Sequence, residues 1–239
     1  MSDEKHRATA PEADFDRYSS DYQALVAASL GPHVQDVDHY AAYKVEDVAS
    51  VMAREALPCE RILDFGAGVG TSVPHFLRLM PHAELVCADV SAASLELAQA
   101  RFGSAVTCQH LDTAALPFAD DSFDVVFVAC VFHHIPARDH VRWLAALRRV
   151  LRPAGRLFLF EHNPLNPLTR RVVARCPFDA DAVLIRASEM RKRLHTAGFG
   201  AVNNRYRLFF PEALRALRPL ESSLDWCALG AQYSLIARK

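Results

Sequence analysis

The stretch RILDFGAGVGTSVPHF, Arg61 to Phe76, sets three glycines (Gly66, Gly68, Gly70) directly after a short apolar run that reaches Asp64. A strand feeding such a turn and then a helix brings backbone N–H groups and a positive helix end up to a ligand. Glycine is needed there because a side chain would block the approach or forbid the dihedrals. The spacing departs from the dinucleotide fingerprint G-x-G-x-x-G/A: Thr71 occupies the third small position and the third glycine falls at Gly70. Asp64, beside the turn, would repel a pyrophosphate and suits a ligand that carries an ammonium group. Taken alone, the turn also fits a tight strand–helix connection that holds nothing.

Two further carboxylates narrow the ligand. Asp89 ends the next apolar run, ELVCADV, about 20 residues past the turn, where an acidic residue accepts both ribose hydroxyls. It could instead cap the following helix, but Ser91 is better placed for that. Asp112 follows a third run, AVTCQHL, where it can take a hydrogen bond from an adenine amino group. The set asks for adenosine, ribose and an ammonium group, and makes no demand for phosphate.

Outward from this turn, strands and helices alternate. Ser72–Leu79 and SAASLELAQARF read as helices, the second capped by Ser91. FDVVFVACVF is, Asp124 apart, an apolar run of strand length, as expected of a central parallel strand covered on both faces. RDHVRWLAALRRVLRPAG reads as an amphipathic helix closed by Pro153 and Gly155, and RLFLFEH as a fifth strand. The insert 163–187 carries Pro164, Pro167 and Pro177 around a short helical stretch and is long enough to cover a site. SEMRKRLHTAGF predicts a helix with Ser188 as its N-cap and Gly198 at its end, and AVNNRYRLFF and AQYSLIARK predict a closing antiparallel pair. Helical spacing over Phe15–Leu30 and Val37–Leu57 makes residues 1–57 a tail and helical cap, and 58–239 the α/β body of one domain. The expectation is a seven-stranded, mostly parallel sheet with helices on both faces and an antiparallel last strand.

Composition removes other classes. With 51% hydrophobic and 23% charged residues in 239, the chain can bury a core and is not a disordered one. A net charge of −1 gives no basic field for nucleic acid. The polar start MSDEKHRATAPEADFDRYSS lacks an apolar signal core, and no run is long enough to span a membrane, so a cytoplasmic protein is expected. Six cysteines without C-x-x-C spacing read as reduced thiols, and Cys108, His110, Cys130 and His133 match no zinc template, so no metal is expected. The oligomeric state is open, with a homodimer as one candidate.

The ordered series LDFGAGVG, CADVS, LDTAALPFADDSFDVVF, VFHHIP and LRRVLRPAGRLFLFEH, over roughly residues 59–162, resembles the class I S-adenosylmethionine-dependent methyltransferases. It looks closest to the small-molecule branch with the ubiquinone- and menaquinone-type enzymes. The flanks resemble methyltransferases of polysaccharide or secondary-metabolite pathways. The resemblance implies a Rossmann-like fold, S-adenosyl-L-methionine as cofactor and a small-molecule acceptor; methylation on oxygen or nitrogen is favoured, with carbon left open. By position, Gly66, Ala67 and Gly68 would wrap the methionine part, with Asp64 beside them. Asp89 would hold the ribose, Val90 would pack on the adenine, and Asp112 and Thr113 would border its edge. Cys130 and Val131 would face the sulfonium. Tyr18 and Tyr43 would close over the cofactor, and Tyr22 and Tyr40 over the acceptor; simple helix packing accounts for these tyrosines equally well.

Transfer from a sulfonium needs an in-line nucleophile and exclusion of water, with a base only if a proton must leave. Candidates beyond the fourth and fifth strands are His134, His162 and Glu161, with His133, Asn163 and Arg170 nearer the acceptor. Of the adjacent histidines one should turn inward, and His134 is favoured over His133 as the working group. Glu161 could steady an ammonium-bearing substrate or cap a loop. Two rivals remain: a cofactor-binding partner protein with weak catalysis, and an NAD(P)-dependent oxidoreductase, against which the glycine spacing and Asp64 both count.

Overall fold

The computed structural model describes residues 37–111, 115–176, 179 and 181–239. Tyr18, Tyr22, Asp112 and Thr113 lie outside the described residues. Seven strands form one sheet: β1 (Arg61–Phe65), β2 (Glu84–Asp89), β3 (Thr107–His110), β4 (Phe123–Ala129), β5 (Leu151–His162), β6 (Val202–Arg207) and β7 (Gln232–Arg238). Their order is β3-β2-β1-β4-β5-β7-β6, and only β7 runs against its neighbours. The strand order reverses between β1 and β4, so the carboxyl ends of these two strands open the crevice where ligands of such sheets bind.

Period-two alternation assigns each strand residue to a face. Leu63, Val126, Val128, Leu157 and Leu159 point to one side, where α4 (His140–Val150) and α6 (Ala187–Thr196) cover them with Leu144, Leu147, Met190 and Leu194. Ile62, Val125, Phe127, Phe158 and Phe160 point to the other, under α1 (Val37–Arg54), α2 (Val73–Leu79) and α3 (Ala92–Phe102). Val45, Val48, Val51 and Met52 of α1 belong to this second core. The helix is therefore one of the layers covering the sheet. From Val125 to Ala129 β4 is apolar because both its faces are covered, and the buried Asp124 near its start is satisfied by Glu60 N, Arg61 N and Arg152.

Some boundaries move. α1 stops at Arg54, where Ala56 takes a left-handed turn (φ 48°) ahead of Pro58. α4 ends at Val150, earlier than Pro153 suggested, because Leu151 already pairs with Phe123 as the start of β5. Ser188 lies inside α6, whose N-cap is Arg186, whereas Ser91 caps α3 as expected, accepting from Ser94 N at 3.1 Å. The helix in the insert, α5 (Pro167–Val173), is capped by Asn166, which accepts from Leu168 N and Thr169 N. A 3-10 run over Glu212–Ser223 precedes β7, and its Glu221 carboxylate collects the N–H groups of Leu208, Phe209 and Phe210.

Candidate functional site

The glycine turn leaves β1 with Gly66 N donating to Ala88 O at 2.8 Å, so it is pinned to the end of β2. Gly66, Gly68 and Gly70 all have positive φ (77°, 52°, 75°), which accounts for glycine at each. Only Gly68 faces open space: a Cβ there would meet nothing within 4 Å. Its N–H donates to Asp89 Oδ2 at 2.7 Å, and Ser91 N donates to Asp89 Oδ1 at 2.9 Å. Asp89 therefore already grips the turn. Asp64 is 2% exposed, and its Oδ2 has no hydrogen-bond partner among the described residues. Burial, with Asp89 nearby, pushes its carboxyl up to about 8.

At the next strand, Cys130 turns the chain sharply with φ 59°, a strained value for a side chain with Cβ. The chain then forms a 3-10 turn, Phe132–His134, against the end of β5. Glu161 organises it. Its Oε1 accepts from Val131 N at 3.1 Å and Phe132 N at 2.7 Å, and its Oε2 lies 2.6 Å from His133 Nδ1. His133 Nε2 lies 3.3 Å from Asp179 Oδ1, and His134 Nε2 3.5 Å from the same oxygen. Burial lowers the pKa of His133, but the Glu161 charge and both carboxylate contacts outweigh that and raise it well above the usual value. His134 and His162 are pushed down to about 4, by burial first and then by His133.

Across the sheet plane, the Tyr43 hydroxyl donates to Gln232 Oε1 in a short contact. Gln232 Nε2 in turn lies 3.5 Å from His162 Nδ1 and 3.7 Å from Cys130 Sγ. The Tyr43 ring meets Phe160 edge-on at 6.0 Å. Tyr43 thus sits over Cys130 and His162, at the β4–β5 end of the crevice. Lys44 is buried beside it, its Nζ donating to Tyr40 O at 2.9 Å, and burial lowers the pKa of its amine.

The inward histidine is His133, and of the two alternatives for Glu161 the structure builds the loop cap. Asn163, expected near the acceptor, is buried and donates to Ala228 O and Gly230 O while accepting from Leu165 N, so it braces the loop before β7. Arg170 is exposed on α5. Sequence reasoning missed Gln232, Lys44 and Asp179. Asp179 had a faint signal, lying in the insert expected to cover the site; Gln232 had none.

A methyltransferase-domain family model matches residues 62–155. The demethylmenaquinone methyltransferase of Thermus thermophilus is 31% identical over 188 residues, 77% of this chain and 80% of that protein. The chain belongs to the class I S-adenosylmethionine-dependent methyltransferases. Within that group, the ubiquinone/menaquinone biosynthesis C-methyltransferase of Teredinibacter turnerae is 31% identical over 171 residues, covering 63% of this chain and 68% of that one. Of other curated methyltransferases, 32–38% identical, the chain spans about half the length. A crystal structure from Thermotoga maritima, described as a possible histamine N-methyltransferase, shares the fold with a TM-score of 0.68 at 19% identity, over 95% of this chain and 99% of that one.

The cofactor of this methyltransferase group is S-adenosylmethionine, and the residues present fit it. Asp64 offers a buried, unpaired carboxylate oxygen for an ammonium group, and Gly68 keeps the backbone open above the turn. The fit predicts the result of Gly66→Ala. The new Cβ would lie 2.4 Å from Val131 Cγ2, at a φ of 77° that alanine resists, so the turn and the β4 loop must move apart. S-adenosylhomocysteine affinity, read by calorimetry, should fall at least roughly tenfold, a cost of about 1.4 kcal/mol or more.

Proposed function

We propose that the chain methylates a small hydroxylated aromatic acceptor of the quinone-precursor class, at a ring carbon. The observation that carries the transfer reading is the pairing of two constellations at one sheet edge: Asp64 and Asp89 around an open glycine turn, and the His133–Glu161–His162 cluster beyond it. The acceptor class is supported by the names of the two relatives that this chain matches over most of their length. The name of the Teredinibacter turnerae relative, a C-methyltransferase, favours carbon over the oxygen or nitrogen expected from sequence.

Bound S-adenosylmethionine supplies a methyl group on a sulfonium, already activated toward a nucleophile. The chain's own groups do the rest. Asp64, Gly66, Ala67, Gly68, Asp89 and Val90 hold and orient the cofactor, with Asp112 and Thr113 assigned to its adenine edge. Cys130 and Val131 border the reacting end. Tyr43, Tyr40 and Lys44 of α1 help to exclude water, with Tyr18 and Tyr22 assigned to the same task. A ring carbon becomes nucleophilic when a neighbouring hydroxyl gives up its proton, and the ring C–H proton leaves after transfer. His162 and His134, both neutral imidazoles, accept those protons, and Glu161 holds the loop through Val131 N and Phe132 N and positions the His133 ring. Arg170 of the insert is assigned to the acceptor's outer edge.

The test is methyl transfer to a demethylmenaquinol analogue by the full chain. Wild type should turn over, and His162→Ala should lower kcat by roughly 100-fold with S-adenosylhomocysteine affinity unchanged. Normal turnover in both His162→Ala and His134→Ala would show that proximity alone drives the reaction. No transfer by wild type to any hydroxylated ring would remove the acceptor assignment.

A further inference from the structure

We propose that His133, His134 and Asp179 form a binding site for a divalent first-row transition cation at the mouth of the crevice. One ligand atom from each residue lies within 4.8 Å of the other two. His133 Nε2 and His134 Nε2 stand 3.3 and 3.5 Å from Asp179 Oδ1. Metal–ligand bonds of roughly 2.0–2.1 Å in a tetrahedron give ligand–ligand edges of about 3.3–3.4 Å. Two of the three edges therefore already have the spacing that a bound cation requires, and a small rotation of His134 closes the third.

The surroundings are those of a ligand set. His133 presents Nε2 because its Nδ1 is held at 2.6 Å by Glu161 Oε2. A carboxylate behind the second nitrogen fixes ring orientation and makes the imidazole a better donor, the usual support for a metal-binding histidine. Glu161 is itself fixed by two backbone N–H groups, so the arrangement is rigid on that side. Asp179 is held from its own side: its N–H donates to Cys176 O at 3.1 Å, and Val183 N donates to His133 O at 2.9 Å, tying the insert to the 3-10 turn. The exposure is graded. The His133 side chain is 1% exposed, that of His134 20% and that of Asp179 13%, so one flank of the triangle is closed and the other is open. Two imidazoles and one carboxylate suit zinc, iron, cobalt or manganese rather than magnesium or calcium. The open flank leaves coordination positions for water or for an oxygen of a hydroxylated acceptor, the latter resting on the proposed acceptor class. With the cation in place His134 is a ligand, and the proton-accepting role falls to His162.

Sequence spacing could not reveal this site, because 44 positions separate His134 (134) from Asp179 (179) in the chain and only the insert's return brings them together. A purely structural ion pair between His133 and Asp179 is the competing account of the same distances, and the two accounts differ in what they predict for added metal. The full chain, stripped with chelator, is titrated with Co2+ and then Zn2+ and followed by visible absorption and calorimetry. The expected result is one equivalent bound at micromolar affinity or tighter, with Co2+ bands displaced by Zn2+. His134→Ala and Asp179→Asn, both partly exposed positions, should each weaken Co2+ binding at least tenfold. S-adenosylhomocysteine binding by the same variants should stay within about twofold of wild type, which shows that they are folded. Absence of saturable binding, or binding that neither variant weakens, overturns the site. Failure of wild type to bind S-adenosylhomocysteine would instead strike the methyltransferase reading and leave the cation result to stand by itself.

Discussion

Asp64→Asn should weaken S-adenosylhomocysteine binding by roughly 10–100-fold, the range for losing a charge-assisted hydrogen bond, while making the free protein more stable at neutral pH. Both effects have one cause. The Asp64 carboxyl is buried, its Oδ2 has no partner, and its pKa is pushed up to about 8, by burial first and then by Asp89. In an unfolded chain it would ionise near the ordinary value of about 4. Between those two values the folded protein holds a proton that the unfolded chain has released. Stability from this group therefore falls as pH rises from about 4 to about 8, and at pH 7 the asparagine variant should gain on the order of 4 kcal/mol in the free state. Binding reverses the preference, because the ammonium of the cofactor needs the ionised carboxylate. Below pH 8 the site must release a proton to bind, so affinity should climb with pH up to tenfold per unit and level off near 8. Calorimetry in buffers of different ionisation enthalpy would read one proton released per cofactor at pH 6.5. In Asp64→Asn the pH dependence should vanish. A wild-type affinity flat from pH 6 to 8 would show that Asp64 does not meet the ammonium.

That result bears on how much of the site was legible in the sequence. The glycine turn and Asp89 could be read because they act locally: a strand end, three positive-φ positions and a carboxylate on the adjacent parallel strand. β4 could be read because burial on both faces leaves an apolar run from Val125 onward. The end of α4 could not, because Leu151 follows Val150 without a break in apolar character and its strand pairing with Phe123 is a tertiary event. The roles of His133, Gln232 and Asp179 were hidden for the same reason. Gln232 joins Tyr43, Cys130 and His162 only because β7 is inserted beside β5 and α1 lies across them. Asn163 shows the converse: its position after β5 suggested the acceptor, but a buried amide must find partners, and the loop before β7 supplied them.

Glu161→Ala should lower stability by about 3–5 kcal/mol, the usual cost of removing one side of a buried charged contact, and the melting temperature by roughly 10 °C. The side chain is 1% exposed and serves three donors at once: Val131 N, Phe132 N and the His133 ring. Water cannot readily replace it, so alanine leaves the 3-10 turn without its anchor just where Cys130 is already strained at φ 59°. Glu161→Gln separates the two jobs. Both backbone bonds go to the same oxygen, Oε1, and an amide carbonyl can accept both, so the turn should hold and stability should fall by only about 1 kcal/mol. The amide NH2 then meets His133 Nδ1 in place of a carboxylate oxygen, and the ring loses the partner that fixes its orientation. The glutamine variant should therefore fold and bind S-adenosylhomocysteine normally while kcat falls at least tenfold and KM changes little. If glutamine destabilises as much as alanine, the charge on Glu161 matters to the fold more than its placement of two backbone hydrogen bonds. If glutamine leaves kcat intact, His133 has no positioning role, and the loop cap is the whole function of Glu161.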